Sequence, residues 1–404
     1  MRKIQLHWQI LIALVLSIIF GILFTEHVEY VSWMGDLFLR ALRMIIVPLI
    51  FSSIVSGVTG IGSAKNLGRM SVKTFSYYLM TSFFAIMTGL FMVNLLKPGK
   101  GADLGLSGIV DGLDVGAETF GQTLINIIPV NIVEAMATGN MLSIIFFAIL
   151  FGFFTTRVTP SLRQPIEKTF NAIFAVMMQL TMFVIRFTPL GIFGIVSKLV
   201  SEHADNLLPV MNSMGLYMLA VISALALHAM ITLPLLVRFV GRANPLKHVR
   251  CMSVPLLTAF STSSSNATLP LTLKAVEHNS GVSNETTGFV LPLGATINMD
   301  GTALYECVAA LFIAQAYGIE LSLLQQGIVV ITALLASIGA AGIPMAGLVI
   351  ITIILTAVGL PLEGVGLILA VDRILDMFRT TVNVWSDSCG AVIIARSEGE
   401  ILNV

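Results

Sequence analysis

The chain has 404 residues, 56% hydrophobic and 11% charged, with a mean hydropathy of +0.94. Soluble domains carry about 25% charged residues and could not hide so much apolar surface, so the composition excludes two or three soluble domains and points to a polytopic membrane protein. Lys plus Arg and Asp plus Glu number 22 each, which removes any bulk pull toward nucleic acid; Cys251, Cys307 and Cys389 lack CxxC spacing and read as packing residues.

The first apolar run, residues 6 to 24, follows a basic start and has the outline of a secretory leader. Its length, the lack of an A-x-A site and the spans beyond it identify a first membrane helix instead. Apolar segments at 38 to 59, 75 to 96, 121 to 156, 169 to 200 and 208 to 240 each predict one further membrane helix. Basic residues gather after the second, fourth and sixth segments: Lys65, Arg69 and Lys73, then Arg157, Arg163 and Lys168, then Arg238, Arg242, Lys247 and Arg250. The alternate loops are acidic, with Glu26 and Glu29, then Asp103, Asp111, Asp114 and Glu118, then Glu202 and Asp205. The positive-inside rule therefore places the N-terminus in the cytoplasm, and Arg396 places the C-terminus there too.

Beyond about residue 250 the apolar runs shorten and are interrupted by polar or Gly/Pro clusters, as in re-entrant hairpins and broken helices. The first interruption, Ser261 to Asn266, precedes a segment broken at Asn298 to Thr302; the second, Gly339 to Pro344, precedes a segment crowded with ionisable residues. This repeated order of hairpin and polar helix predicts an inverted-repeat transporter with its binding site where the broken elements meet.

In the last segment, Asp372, Asp376, Arg379, Thr380, Asn383 and Asp387 fall within a helical arc of roughly 100°. A charge at the bilayer centre costs about 2.5 to 3.5 kcal/mol, so this stripe should face a cavity filled by water or ligand. A plain ladder pairing Asp376 with Arg379 would leave Asn383 and Asp387 without a purpose. Asn298, Asp300 and Thr302 cluster hard oxygens, and Gly301 is expected to let the helix unwind and bare its carbonyls to a cation such as sodium. The serine run reads as a hairpin tip whose hydroxyls and N–H groups face an anion, and His228, alone in an apolar segment, as structural. Asp300, Glu306, Asp372, Asp376 and Asp387 outnumber Arg373 and Arg379 by three charges, an excess that cations or protons must compensate. Import of an anion held by Arg379 against a negative-inside potential costs about 2.3 kcal/mol per charge per 100 mV, so at least two co-transported cations are needed before the potential helps.

The motifs SSSNATLP (Ser263 to Pro270), NMDGTALYE (Asn298 to Glu306), GAAGIPMAG (Gly339 to Gly347) and VDRILDMFRTTVNVWSD (Val371 to Asp387) resemble those of the sodium-coupled glutamate/aspartate transporter family, the dicarboxylate/amino acid:cation symporters. That family is itself a standard example of inverted-repeat transporters. The resemblance covers essentially the whole chain. It implies an all-α fold of eight transmembrane helices and two re-entrant hairpins, assembled as a homotrimer of elevator-type carriers among membrane lipids. Residues 1–74 and 121–207 would form the scaffold, with 75–120 and 208–404 contributing the moving transport unit. Within that unit hairpin one would span about 250–280, the seventh helix about 285–317, hairpin two about 322–358 and the eighth helix about 362–396.

By matching positions, the resemblance implies that Arg379 holds the substrate's side-chain carboxylate and Asp376 its amino group. Thr380, Asn383, Thr302, Ser264, Ser265 and Gly347 would complete the substrate site. It implies about three sodium sites: Gly294, Asn298 and Asn383 with Asp387; Thr296, Met299, Ser337, Ile338 and Ala340 under the second hairpin; and Tyr78, Thr81, Ser82, Asn298 and Asp300. Glu306 stands where animal members have a glutamate linked to proton coupling. Met377 and Ser263 stand where animal and archaeal members respectively carry an arginine, and Arg373 lies one turn before Met377. The extracellular insertion of animal members is missing, which favours a prokaryotic inner membrane. The function implied is sodium-driven uptake of L-aspartate or L-glutamate. A C4-dicarboxylate carrier is disfavoured because Asp376 would face a ligand without an amine, and a neutral amino acid carrier because Arg379 is present. An intramembrane hydrolase would need a G-x-S-x-G or H-E-x-x-H motif, and neither occurs. An ion channel is separated from a carrier by whether current flows without sodium-dependent accumulation.

Overall fold

The computed structural model describes residues 6–61, 68–100, 125, 128–202, 207–337 and 346–404, and among these there is no strand. The first half comprises α1 (Leu6–Leu23), α2 (Glu29–Ile61), α3 (Gly68–Leu96), α4 (Ile132–Thr138), α5 (Met141–Thr155), α6 (Pro160–Ile185) and α7 (Thr188–Glu202). Helix α8 (Leu207–Leu227) passes through a π segment, His228–Thr232, into α9 (Leu233–Phe239). Then come α10 (Pro245–Cys251), α11 (Ser253–Thr262), α12 (Ser265–Lys274), α13 (Asn284–Ile297), α14 (Asp300–Ala316), α15 (Leu323–Ser337), α16 (Ala346–Ala357) and α17 (Val365–Ser397).

Two segments expected as single helices are each divided. The 121–156 segment contains α4 and α5, separated where Gly139 turns to φ 74° and Asn140 caps the next helix by accepting from the Ser143 N–H. The 169–200 segment is α6, which starts earlier at Pro160, followed by α7. The break at Arg186 and Phe187 lies just before Pro189, which has no N–H to carry a helix onward. Apolar runs alone missed both, since a hydropathy pattern does not register a one-residue change of direction.

Among the described residues, five helical stretches are long and apolar enough to cross a membrane: Glu29–Thr59, Arg69–Leu96, Pro160–Ile185, Met211–Phe239 and Asn284–Ala316. The last joins α13 to α14 across a break, and α14 is almost wholly buried. Shorter apolar helices lie at Trp8–Leu23, Ser143–Thr155 and Leu323–Ser337. Helix α17 spans 33 residues, and its stripe of charged side chains lowers its hydropathy.

Packing follows two sets of helices. Helix α2 lies against α5, α6 and α7, with α1 also on α7. In the second set α14 packs on α3, α8, α15 and α17, while α11, α12 and α13 pack on α17. The sets meet where α16 touches α2 and α5, and α17 touches α7. Large apolar side chains such as Leu16, Ile19, Phe91, Phe154 and Phe183 remain exposed on the outside, as a lipid-facing surface requires.

Candidate functional site

The chain between α13 and α14 leaves the helical path at Asn298 (φ −94°, ψ 92°) and Met299 (φ −116°, ψ 51°). Gly301, expected to cause this unwinding, is helical within α14. Its small size matters for another reason: a Cβ there would lie 2.5 Å from the Arg379 carbonyl oxygen. Gly301 therefore lets α14 and α17 touch backbone to backbone. The Gly301 N–H donates to Asn383 Oδ1 at 2.7 Å, and Asn383 Nδ2 donates to Thr302 Oγ1 at 3.1 Å and lies 3.3 Å from Met299 Sδ. One amide side chain thus ties the break to α17.

On α17 the guanidinium of Arg379 is 1% exposed, with Nη2 at 3.0 Å from Asp372 Oδ1 and 2.9 Å from Asp376 Oδ1. Its carbon sits 3.9 Å from the centroid of the Tyr305 ring, close enough for a cation–π contact. Nε and Nη1 have no hydrogen-bond partner, nor does Asp376 Oδ2. A Cβ on Gly347 would stand 2.6 Å from Nη1, so α16 passes directly over this side chain. Buried polar atoms are ordinarily satisfied; here two donors of a fork suited to a carboxylate, and the Asp376 Oδ2 suited to an ammonium, make no hydrogen bond, with Arg373 Nη1 3.7 Å from that oxygen. Thr302, next to Gly301 on α14, and Thr380, next to Arg379 on α17, are both buried, and on α14 Glu306 is fully buried with neither carboxyl oxygen hydrogen-bonded.

The first hairpin reaches α17 through α11 and α12, with Phe260 and Phe378 in an edge contact at 5.2 Å. Its tip turns at Ser263, in the left-handed region at φ 50°. Ser264 then caps α12 by accepting from the Ala267 N–H, and Ser265 is buried.

A second polar cluster lies further along the same helix pair. Asp387 Oδ1 accepts from Asn298 Nδ2 at 2.8 Å, and a Cβ on Gly294 would meet that same oxygen at 2.5 Å and the Tyr78 hydroxyl at 2.8 Å. Tyr78 donates to the Val290 carbonyl at 2.6 Å, and Thr81 to Asn298 Oδ1 at 3.5 Å. Asp300 accepts from Ser82 on one oxygen and from Ser386 on the other, each at 2.6 Å, and His228 Nε2 is 3.2 Å from the second. Both aspartates are buried, and among the described residues neither forms an ion pair with Lys or Arg. Two such carboxylates surrounded by hydroxyl, amide and carbonyl oxygens fit a hard monovalent cation. No group of three or more His, Cys, Asp or Glu suited to a transition metal occurs among the described residues.

The structure therefore brings together Gly294, Asn298, Met299, Asn383, Asp387, Tyr78, Thr81, Ser82 and Asp300. The set under the second hairpin is not assembled in the same way. Thr296 is exposed with its hydroxyl turned back to Leu293 O, and Ser337 donates to Leu334 O. Ile338 and Ala340 lie outside the described residues. Sequence reasoning missed Ser386, Tyr305 and the partnership of His228 with Asp300. His228 sits in the π segment, a local widening often found at functional sites, but its partner is 72 residues away.

Residues 6–397 match the model of the sodium:dicarboxylate symporter family. The chain is 35% identical over 98% of its length to a proton/glutamate-aspartate symporter of Escherichia coli (strain K12), covering 93% of that protein. It is 34% identical over 99% of its length to a proton/sodium-glutamate symport protein of Geobacillus stearothermophilus, covering 96% of it. To excitatory amino acid transporter 3 of Mus musculus it is 36% identical over 98% of its length, covering 86% of that chain. With the family model spanning nearly every residue and these relatives aligned end to end, the chain belongs to the sodium:dicarboxylate symporter family.

Proposed function

We propose that this protein is a secondary active transporter that takes up L-aspartate or L-glutamate together with sodium by alternating access. The observation that carries this reading is Arg379, buried with Nε and Nη1 unused. The substrate's side-chain carboxylate takes those donors, and its ammonium takes the free oxygen of Asp376. The names of the relatives, which join glutamate or aspartate with proton or sodium, support the same assignment.

Sodium is cargo in this scheme. Asp300 and Asp387 with Tyr78, Thr81, Ser82, Asn298 and the carbonyls of Gly294 and Asn383 would hold it at two places. A third place lies under the second hairpin, with Thr296, Met299, Ser337, Ile338 and Ala340. Coupling has a short physical route. Asn298 binds Asp387, and three residues on, Gly301 binds Asn383, whose other side reaches Thr302. A cation that orders Asn298 and Asp387 therefore fixes the helix break against the substrate helix one turn from Arg379. Glu306 is the natural carrier of a co-transported proton, since a buried carboxylate without a hydrogen bond is costly.

The passage of α16 over Arg379 supports a reading in which the second hairpin is the gate. Eight membrane helices with two hairpins, a scaffold of α1, α2 and α4 to α7 beside a moving unit, cytoplasmic termini, a prokaryotic inner membrane and a homotrimer complete the proposal. A thermal-shift screen with aspartate, glutamate, succinate and serine tests it: the acidic amino acids should stabilise the protein only with sodium present. Stabilisation by serine or succinate but by neither acidic amino acid would overturn it.

A further inference from the structure

A groove of about 320 Å³ lies against the face of α17 opposite its polar stripe. Met230 and Pro234 line it from the π segment and α9, Leu246 and Val249 from α10, and Val382 and Trp385 from α17. Two lining side chains carry polar atoms, and both are already used. Thr381 donates to the Met377 carbonyl at 2.8 Å, and Trp385 Nε1 donates to the Ala229 carbonyl at 3.1 Å. The side chains therefore present hydrocarbon and give a polar solute nothing to hold. A cavity of about 150 Å³ takes up benzene, so this groove has room for about twelve carbons of a chain.

The rim adds charge. Arg238 lies one turn on from Pro234, and Arg250 one turn on from Leu246, so helical spacing sets a guanidinium beside the groove from two elements. Arg242 and Lys247 fall between them in sequence. All four are exposed, and among the described residues none makes a side-chain hydrogen bond or an ion pair. No Asp or Glu occurs from residue 206 to residue 276 that could neutralise them.

We propose that this groove binds an anionic glycerophospholipid, with one acyl chain against Trp385 and the headgroup phosphate between Arg238 and Arg250. Uncompensated cations beside a hydrocarbon slot match a molecule that carries both an anion and a long chain. The basic loop places the groove toward the cytoplasmic leaflet. The chain would lie on the back of the helix that holds Arg379, and on the π segment whose His228 meets Asp300. The site is separate from the substrate and cation positions, and its test uses neither ligand.

Trp8 and Trp33 are both exposed, and replacing them in the full-length protein by Trp8→Phe and Trp33→Phe leaves Trp385 as the sole tryptophan. In phosphatidylcholine vesicles its fluorescence is followed as part of the lipid is exchanged for phosphatidylglycerol brominated on its acyl chains. Bromine quenches an indole only at close range, and equally brominated phosphatidylcholine is the control. Phosphatidylglycerol should half-quench Trp385 at a mole fraction at least about fivefold lower than the control lipid. Arg238→Gln combined with Arg250→Gln, which removes two exposed and unpaired charges, should abolish that preference. Equal quenching by both lipids, quenching by neither, or a preference that survives in the double variant would overturn the proposal.

Discussion

Arg379 is a buried cation with two acidic neighbours and two nitrogens, Nε and Nη1, without a hydrogen-bond partner, an arrangement that a substrate carboxylate would complete. Arg379→Lys keeps the charge and loses the planar fork. Losing one charge-assisted hydrogen bond, worth about 1.5 to 3 kcal/mol, should weaken aspartate about 10- to 100-fold in equilibrium binding. Unchanged affinity would remove Arg379 from the site. Glu306→Gln should retain sodium-driven uptake while abolishing substrate-driven acidification inside pH-dye-loaded vesicles; persistence of the proton signal would place proton coupling elsewhere. Arg379 and its polar neighbours on α17 were legible in the sequence because that helix repeats its polar side chains at helical spacing, which fixes a common face without any knowledge of neighbours. The Asp300 surroundings were only half legible. Ser82, Ser386 and His228 reach it from three other elements, and each pairing spans 72 or more residues, beyond any periodicity.

At the scale of elements, interruptions carry the function. The α13/α14 break, the Ser263 turn and the π segment place polar groups inside a helical fold, and polar clusters in the sequence announced the first two. The breaks at Gly139 and at Arg186 lie within apolar surroundings and went unseen. Another element-scale contact ties the end of α17 to the start of α3. Glu398 accepts from Lys73 at 2.7 Å and from Arg69, and these hydrogen bonds hold its carboxyl below the usual glutamate value. A depressed folded-state value gives a contribution that is complete above the ordinary value of about 4.3 and is lost as pH falls through the depressed one. The effect is modest because both partners are solvent-facing. Glu398→Gln should lower the unfolding temperature by a few degrees or less at pH 7 and by less than that at pH 3. An equal deficit at both pH values would show that the contact does not depend on charge.

At the scale of the molecule, one charge balance links fold to transport. Basic loops alternate with acidic ones along the first half of the chain, while the acids Asp300, Glu306, Asp372, Asp376 and Asp387 outnumber Arg373 and Arg379 by three, an excess that cations would compensate. The second hairpin's α16 packs on α14 and also touches α2, α5 and α17, while α11 and α12 pack on α17. The central claim is that sodium binding and substrate binding share the Asn298–Asn383 connection. Accumulation of radiolabelled aspartate in proteoliposomes under an imposed sodium gradient tests it most directly. The account predicts concentrative uptake that requires inward sodium, rises with an inside-negative potential and is lost in Asp387→Asn. Uptake that proceeds equally without sodium, or only down the aspartate gradient, would contradict it.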